Sequence, residues 1–309
     1  MTSISPSNQP VDWNSVALEV RESCQLPDGR GPDDLHIIAG VRGFTEAFDY
    51  WYARVVRNAV SKYRAVVIQR INPFIRRIQL DSLDSQQAAQ RLVDDWDSRN
   101  YVTAGGWAFE ALASDGSKDA QKSAATGIDL QRYDPETGDV YLYVLKSGTV
   151  TRNSDIVKEL KRNSRQAEKL LKQGRSTGTV HANWAIAAGK TSSTFEDGVR
   201  RPSSGEFWGE MFDLEEDEAV PLTLAMVAAA GKLIRNDVDD HLRAMRVLVA
   251  DYIAQRDDAD QVDWEFIARR TLEVRTRWSA EDQQRHSRAL VTLTDTGYKM
   301  PTPETTVDT

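Results

Sequence analysis

Apolar and polar positions follow two different rhythms along the chain, and the points where the rhythm changes mark its organisation. From Phe44 to about Arg70 the apolar residues, among them Phe48, Tyr52, Val56, Ala59 and Tyr63, recur at helical spacing. That predicts one long amphipathic helix, stopped by Asn72-Pro73. A second helix is expected from about Asp84 to Ser98, with Ala88, Leu92, Val93 and Trp96 on one side. The first forty residues, rich in Pro, Gly, Ser and Asp, read as an irregular arm.

The middle of the chain turns to strand. Gly105-Gly106 precede a short helix expected over Trp107 to Ala113, and a polar loop runs from Ser114 to Ser123. Thr126 to Tyr133 and Val140 to Leu145 then flank the turn formers Asp134-Pro135-Glu136-Thr137-Gly138-Asp139, which predicts a β-hairpin. A helix follows, capped by Asn153 or Ser154, with Ile156, Val157, Leu160, Ala167, Leu170 and Leu171 as its apolar stripe and Gly174 as its stop. Thr179 to Ala188 is then a buried strand. Helix, hairpin, helix and strand make an α/β core. Beyond Gly205-Glu206-Phe207-Trp208 the sequence is mostly helical, clearest over Leu222 to Ile234, Val238 to Ala254 and Trp264 to Trp278, with a fraying tail from about Asp295. The expected organisation is an N-terminal arm and helical region over 1–100, an α/β core over 101–212 and a C-terminal helical region over 213–309.

Composition narrows the class. With 40% hydrophobic and 28% charged residues the chain is an ordinary globular protein. Cys24 is its one cysteine, which excludes an internal disulfide and a Cys-based zinc site. No stretch reaches the roughly 20 apolar residues of a membrane span, and Met1 to Pro10 lack the basic and apolar character of a secretory leader. A cytoplasmic protein with no membrane partner is expected. The net charge of −8 argues against a nucleic-acid partner, but its distribution does not. Between Lys146 and Arg175 stand nine basic residues and three acidic ones, a local surplus of six positive charges. This is either a solvated helix face or a surface for phosphates.

Metal-assisted hydrolysis of a phosphodiester needs hard oxygen ligands and a cation near the attacking water or the developing charge. The hairpin supplies both. Asp129 is expected near the middle of the first strand, in Gly127-Ile128-Asp129-Leu130, and Lys146 ends the second after six apolar or aromatic residues. Each lies eight to nine residues from the turn centre, so antiparallel pairing brings them together. A carboxylate and an ammonium so placed are either an internal ion pair or a catalytic site.

A Glu on a helix, an Asp on a strand, a strand ending in Lys146 and an amphipathic basic helix together resemble the PD-(D/E)XK nuclease superfamily. Lys146-Ser147-Gly148 through Arg152-Asn153-Ser154, running on to Ala167-Glu168-Lys169-Leu170-Leu171-Lys172, is similar to a branch of type II restriction endonucleases, and Gly205 to Trp208 fits the same branch. The resemblance covers roughly residues 105–208. It implies an α/β fold with a restriction-endonuclease-like core, a central mixed sheet flanked by helices, extended by helices at both ends. It also implies an endonuclease acting on double-stranded DNA with Mg²⁺, for which Mn²⁺ substitutes, as a homodimer, in restriction or a related anti-phage defence, with a cognate methyltransferase or defence partner. Asp129 would be the central metal-binding carboxylate, Lys146 the residue that positions or polarises water, Glu110 the helix carboxylate completing the site, and the Leu145 backbone carbonyl a further ligand. Arg152, Asn153, Lys158, Lys161, Arg162, Arg165 and Lys169 would meet DNA. One position departs from the pattern: the second carboxylate normally stands two residues before the lysine, where this chain has Val144. The alternatives are therefore a nucleic-acid-binding protein of the same fold that is inactive or activated by a partner, and a helical scaffold whose hairpin is incidental.

Other constellations are weaker. His36, His181, His241 and His286 are scattered, with no pair at metal-binding spacing, and read as structural or exposed. Gly189-Lys190-Thr191-Ser192 lacks the spacing of a nucleotide-binding phosphate loop.

Overall fold

The computed structural model of the chain describes residues 11–27, 29–148, 154–173, 178–189, 192–196, 198–234, 237–272 and 278–300. Among them, the elements in chain order are α1 (Trp13–Cys24), α2 (Asp34–Phe48), α3 (Arg54–Ser61), α4 (Pro73–Leu80), α5 (Ser85–Gly116), β1 (Ala120–Lys122), β2 (Leu130–Tyr133), β3 (Val140–Lys146), α6 (Ser154–Gln173), β4 (Val180–Ile186), β5 (Thr194–Glu196), β6 (Val199–Arg201), α7 (Ser204–Phe212), α8 (Glu216–Leu233), α9 (Asp237–Ile253), α10 (Trp264–Leu272) and α11 (Ala280–Asp295). π-helical turns over Asp49–Ala53 and Arg64–Ile68 flank α3. The chain divides into two compact units, one of residues up to 48 with 105–234, the other of 49–104 with residues from 235 on.

The first unit is built on a mixed sheet of order β1-β2-β3-β4-β6-β5. The expected hairpin forms: β2 and β3 pair antiparallel, Leu130 opposite Tyr143 and Tyr133 opposite Val140. Its turn closes as the residue types require. The Asp134 carboxylate accepts the amides of Glu136 and Thr137, and Gly138 takes a φ of +77°, which costs a residue without a Cβ little. β3 then pairs parallel with β4 along its whole length, from Val140 opposite Val180 to Lys146 opposite Ile186. Parallel neighbours need a crossover, and α6 supplies it.

Alternation along β3 divides the core. Val140, Leu142 and Val144 face a cluster with Trp184 and Ile186 of β4 and with Val157, Leu160 and Ala167 of the α6 stripe, whereas Leu170, expected in that stripe, is exposed. On α7, Phe207 meets Tyr143 edge-on at 5.8 Å between ring centroids, while Trp208 lies 6.1 Å from Phe109 of α5 and donates its indole N–H to the Ala187 carbonyl at 2.8 Å. α7 starts on a capping box between Ser203 and Glu206. Both layers stabilise the unit through buried apolar surface, at about 25 cal/mol per Å².

Several expectations at the N-terminal end are corrected. The first forty residues are not an irregular arm: α1 is capped by the Asp12 side chain, and α2 begins at Asp34. The single helix from Phe44 is interrupted by the two π-helical turns, and Asn72-Pro73 start α4 as well as stopping what precedes it. The Asn72 side chain accepts from the amides of Phe74 and Ile75, and Pro73 needs no hydrogen bond at the first helical position. The short helix at Trp107 is the last part of the 32-residue α5. At its end Gly116 lies so close to Gly40 of α2 that a Cβ on Gly40 would collide with it, so small residues at both positions let these two helices approach.

In the second unit, α11 is an element the sequence pattern did not reveal. Its Asp282 is fully buried, accepts the Tyr252 hydroxyl at 2.5 Å, closes a capping box with Ser279 and is paired with Arg270 at 3.0 Å and Arg64 at 3.4 Å. A buried carboxylate is tolerable only with such partners.

Candidate active site

Asp129 lies one residue before β2, not in mid-strand, because pairing with β3 begins at Leu130. Gly127, at a φ of +73°, and the hydrogen bond from the Ile128 amide to the Ala125 carbonyl turn the chain just ahead of it. The Asn163 side chain of α6 packs where a Cβ of Gly127 would stand. Three bonds then fix Asp129. Its amide donates to the Tyr143 carbonyl at 2.9 Å, its carbonyl accepts the Ser123 amide at 3.1 Å, and its Oδ2 accepts the Leu145 amide at 2.7 Å. Leu145 lies beyond the reach of β2, and its N–H, which burial would otherwise leave without a partner, is satisfied by the carboxylate.

Glu110 is half-buried on α5. Burial, and after it the charge of Asp129, pushes its carboxyl up to about 7, against the opposing pull of Lys122 and Lys146. Lys146 ends β3, its ammonium 5.7 Å from the ring centroid of Trp184 and its carbonyl accepting the Ala187 amide at 2.7 Å. Asp129, on a loop, and Lys146, at a strand end, thus both lie within electrostatic reach of Glu110 on its helix.

The donor set suits a hard divalent cation. Among the described residues no group of three His, Cys, Asp or Glu side chains stands ready to hold a metal. Mg²⁺ needs fewer, since it keeps several waters and is commonly held by one or two carboxylates. Glu110 offers one carboxylate, and Asp129 offers the oxygen that Leu145 does not engage. In an extended strand the N–H and C=O of one residue point to the same side, so the Leu145 carbonyl is directed toward Asp129 as its amide is. Two carboxylates whose charges oppose each other at close range gain stability from a cation between them. Val144, by contrast, is 9% exposed and packs against Trp184 under α6, so the usual place of a second strand carboxylate belongs to the core.

Of the residues expected to meet DNA, Arg152 and Asn153 lie outside the described residues. Lys158, Lys161, Arg162, Arg165 and Lys169 line one groove of about 510 Å³ on α6, together with Gln166. They fall three or four residues apart, on the side of the helix away from its buried Leu160 and Ala167. The four histidines bond elsewhere, His181 to Asp139, His36 to Asp33, His286 to Tyr63 and His241 to Tyr298.

Two features escaped the sequence reading. Lys122 stands on the three-residue β1 with its charge felt by Glu110, in a stretch too short and too polar for strand alternation to show. Behind the sheet, the Tyr143 hydroxyl donates to Glu210 at 2.7 Å, and Arg200 pairs with Glu210 and Glu206, anchoring α7 to β3 and β6. The first contact joins residues 67 apart and the other two tie β6 to α7 across ten and six residues, and no local pattern signals them.

The family model of the type II restriction endonuclease EcoO109I matches residues 44–226. That is more than half of the 309 residues, and it includes Glu110, Asp129, Lys146 and all of α6. No curated protein matches the chain.

Proposed function

The chain belongs to the type II restriction endonuclease EcoO109I family, and from that membership we propose that it is a metal-dependent endonuclease hydrolysing phosphodiester bonds of double-stranded DNA in restriction or a related anti-phage defence. The membership bears out the resemblance to PD-(D/E)XK nucleases and the mixed α/β fold. The observation that carries the finer reading is the fixing of Asp129 by the Leu145 amide at 2.7 Å, in a place where Glu110 feels the charges of both Asp129 and Lys146.

In this reading Glu110 takes the part of the second carboxylate, which Val144 cannot play. Glu110, Asp129 and the Leu145 carbonyl would hold Mg²⁺, for which Mn²⁺ could substitute. When bound, the cation supplies Lewis acidity at the phosphate and acidifies water. Lys146 presents its ammonium to the scissile phosphate and orients the attacking water, adding positive charge where negative charge develops. The groove on α6 carries phosphates of the backbone, and its charge offsets an acidic remainder that would repel DNA. These contacts position DNA without reading bases. The nuclease core lies in residues 101–212. Two cuts are needed for a duplex break, so a homodimer is the working form, and a methyltransferase that protects host DNA is the matching partner. No helix among the described residues is long and apolar enough to cross a membrane.

The test is incubation with unmodified plasmid and phage DNA, with Mg²⁺ and with EDTA. Discrete fragments that require the metal are the expected result. DNA that is bound but never cut would favour the inactive or partner-activated binder that Val144 brings to mind.

A further inference from the structure

Lys122 ends β1 opposite Leu130, the residue after Asp129, and the amide of the next residue, Ser123, bonds the Asp129 carbonyl. Its backbone therefore adjoins the proposed metal ligand. Its side chain is exposed, with the ammonium 5.7 Å from the ring centroid of Trp107. Trp107 is itself 40% exposed and stands on α5 three residues before Glu110, so both share a face of the helix. A lysine that merely guards a sheet edge against pairing would point into open solvent. This one lies against the helix that carries Glu110.

Charge gives the position a meaning. With Glu110 ionised, Glu110 and Asp129 bring two negative charges and Lys146 one positive, which alone would leave the site repelling a phosphodiester. Lys122 brings the four side chains to neutrality before any cation enters. We propose that Lys122 is a substrate-binding residue of this site, seating on its ammonium the DNA phosphate beside the scissile one, with Trp107 holding the side chain in place. The proposal rests on the nuclease reading above, and it is a binding role that the basic groove of α6 does not share.

The test is binding of the full-length protein to a fluorescent DNA duplex in EDTA, followed by anisotropy over a range of salt, for the wild type, Lys122→Ala and Lys122→Arg, with thermal melts of each. Loss of one phosphate contact lowers the slope of log affinity against log salt by about one. Lys122→Ala is expected to show that smaller slope and, at low salt, affinity weaker on the order of five- to tenfold. Lys122→Arg should restore both, with melting unchanged throughout. A Lys122→Ala protein with the slope and affinity of the wild type overturns the proposal, as does one whose defect tracks a lowered melting temperature that Arg fails to rescue. A wild type that binds no duplex overturns the nuclease reading and this inference with it, whereas a wild type that binds in EDTA and cuts once Mg²⁺ is supplied, while Lys122→Ala matches its binding, removes this inference alone.

Discussion

The Asp129 carboxylate accepts the backbone amide of Leu145 at 2.7 Å, so one oxygen of the proposed metal ligand also finishes the edge of β3 where β2 no longer reaches. The two duties are separable by substitution. Asp129→Asn keeps an acceptor for the amide and loses the negative charge; Asp129→Ala loses both. Cleavage should vanish in each, while only Asp129→Ala should also lose stability, by about 1–3 kcal/mol. Urea denaturation of the two variants beside a cleavage assay checks this, and equal destabilisation of both would show that the hydrogen bond is not the structural contact described.

Glu110 gives a pH dependence with a definite sign. Its carboxyl is raised from 4.5 to about 7, first by burial and then by Asp129. The folded protein therefore holds a proton that the unfolded chain has released between those values. The associated stability is full below about pH 4.5 and is lost as pH rises through about 7. Glu110→Gln removes this loss, so in EDTA the variant should gain stability over the wild type with rising pH, on the order of 1–2 kcal/mol at pH 8 once solvent screening of a half-exposed group is allowed for. Denaturation midpoints at pH 5, 6.5 and 8 measure it, and a constant difference across the series would refute the assignment.

Val144 invites a repair that should fail. Installing the usual strand carboxylate as Val144→Glu places a charge among Trp184, Leu142 and Leu160. The expected result is destabilisation on the order of 2–4 kcal/mol with no gain in cleavage. Calorimetric melting together with the plasmid assay decides it, since a stable and more active variant would mean that this position faces the site.

The groove on α6 is tested by charge. Arg162→Ala, Arg165→Ala and Lys169→Ala combined remove three cations from a surface that carries little packing. DNA binding should weaken and its salt slope fall by roughly three, with stability changed by less than about 1 kcal/mol. Anisotropy titrations at several salt concentrations give the slope, and one equal to that of the wild type would make the stripe a solvated helix face.

How much of this was legible in the sequence depended on how local the deciding interaction is. The hairpin, α6 and β4 were readable because turn formers and alternating or helical apolar spacing act within a few residues. Gly105-Gly106 misled because glycine costs a helix about 1 kcal/mol each, and the buried Ala108, Leu112 and Ala113 that follow outweigh it. The π-helical turns at Asp49 and Arg64 keep helical periodicity while shifting its phase, which a spacing count does not detect. The closeness of Asp129 to the end of β3 was legible because one turn fixes the register of the hairpin. Lys122 was not, because its edge strand is defined only by pairing with β2.

The central claim is that Glu110, Asp129 and Lys146 form one metal-dependent cleavage site. The most direct test is the single-turnover rate on a duplex that the wild type cuts, with saturating Mg²⁺, for Glu110→Gln, Asp129→Asn and Lys146→Met, each first shown to fold cooperatively and to bind DNA as the wild type does. The account predicts that every variant binds and that each loses cleavage on the order of a thousandfold or more, a barrier increase of about 4 kcal/mol. Any one of the three cutting within about tenfold of the wild type, a barrier change under about 1.4 kcal/mol, would contradict it.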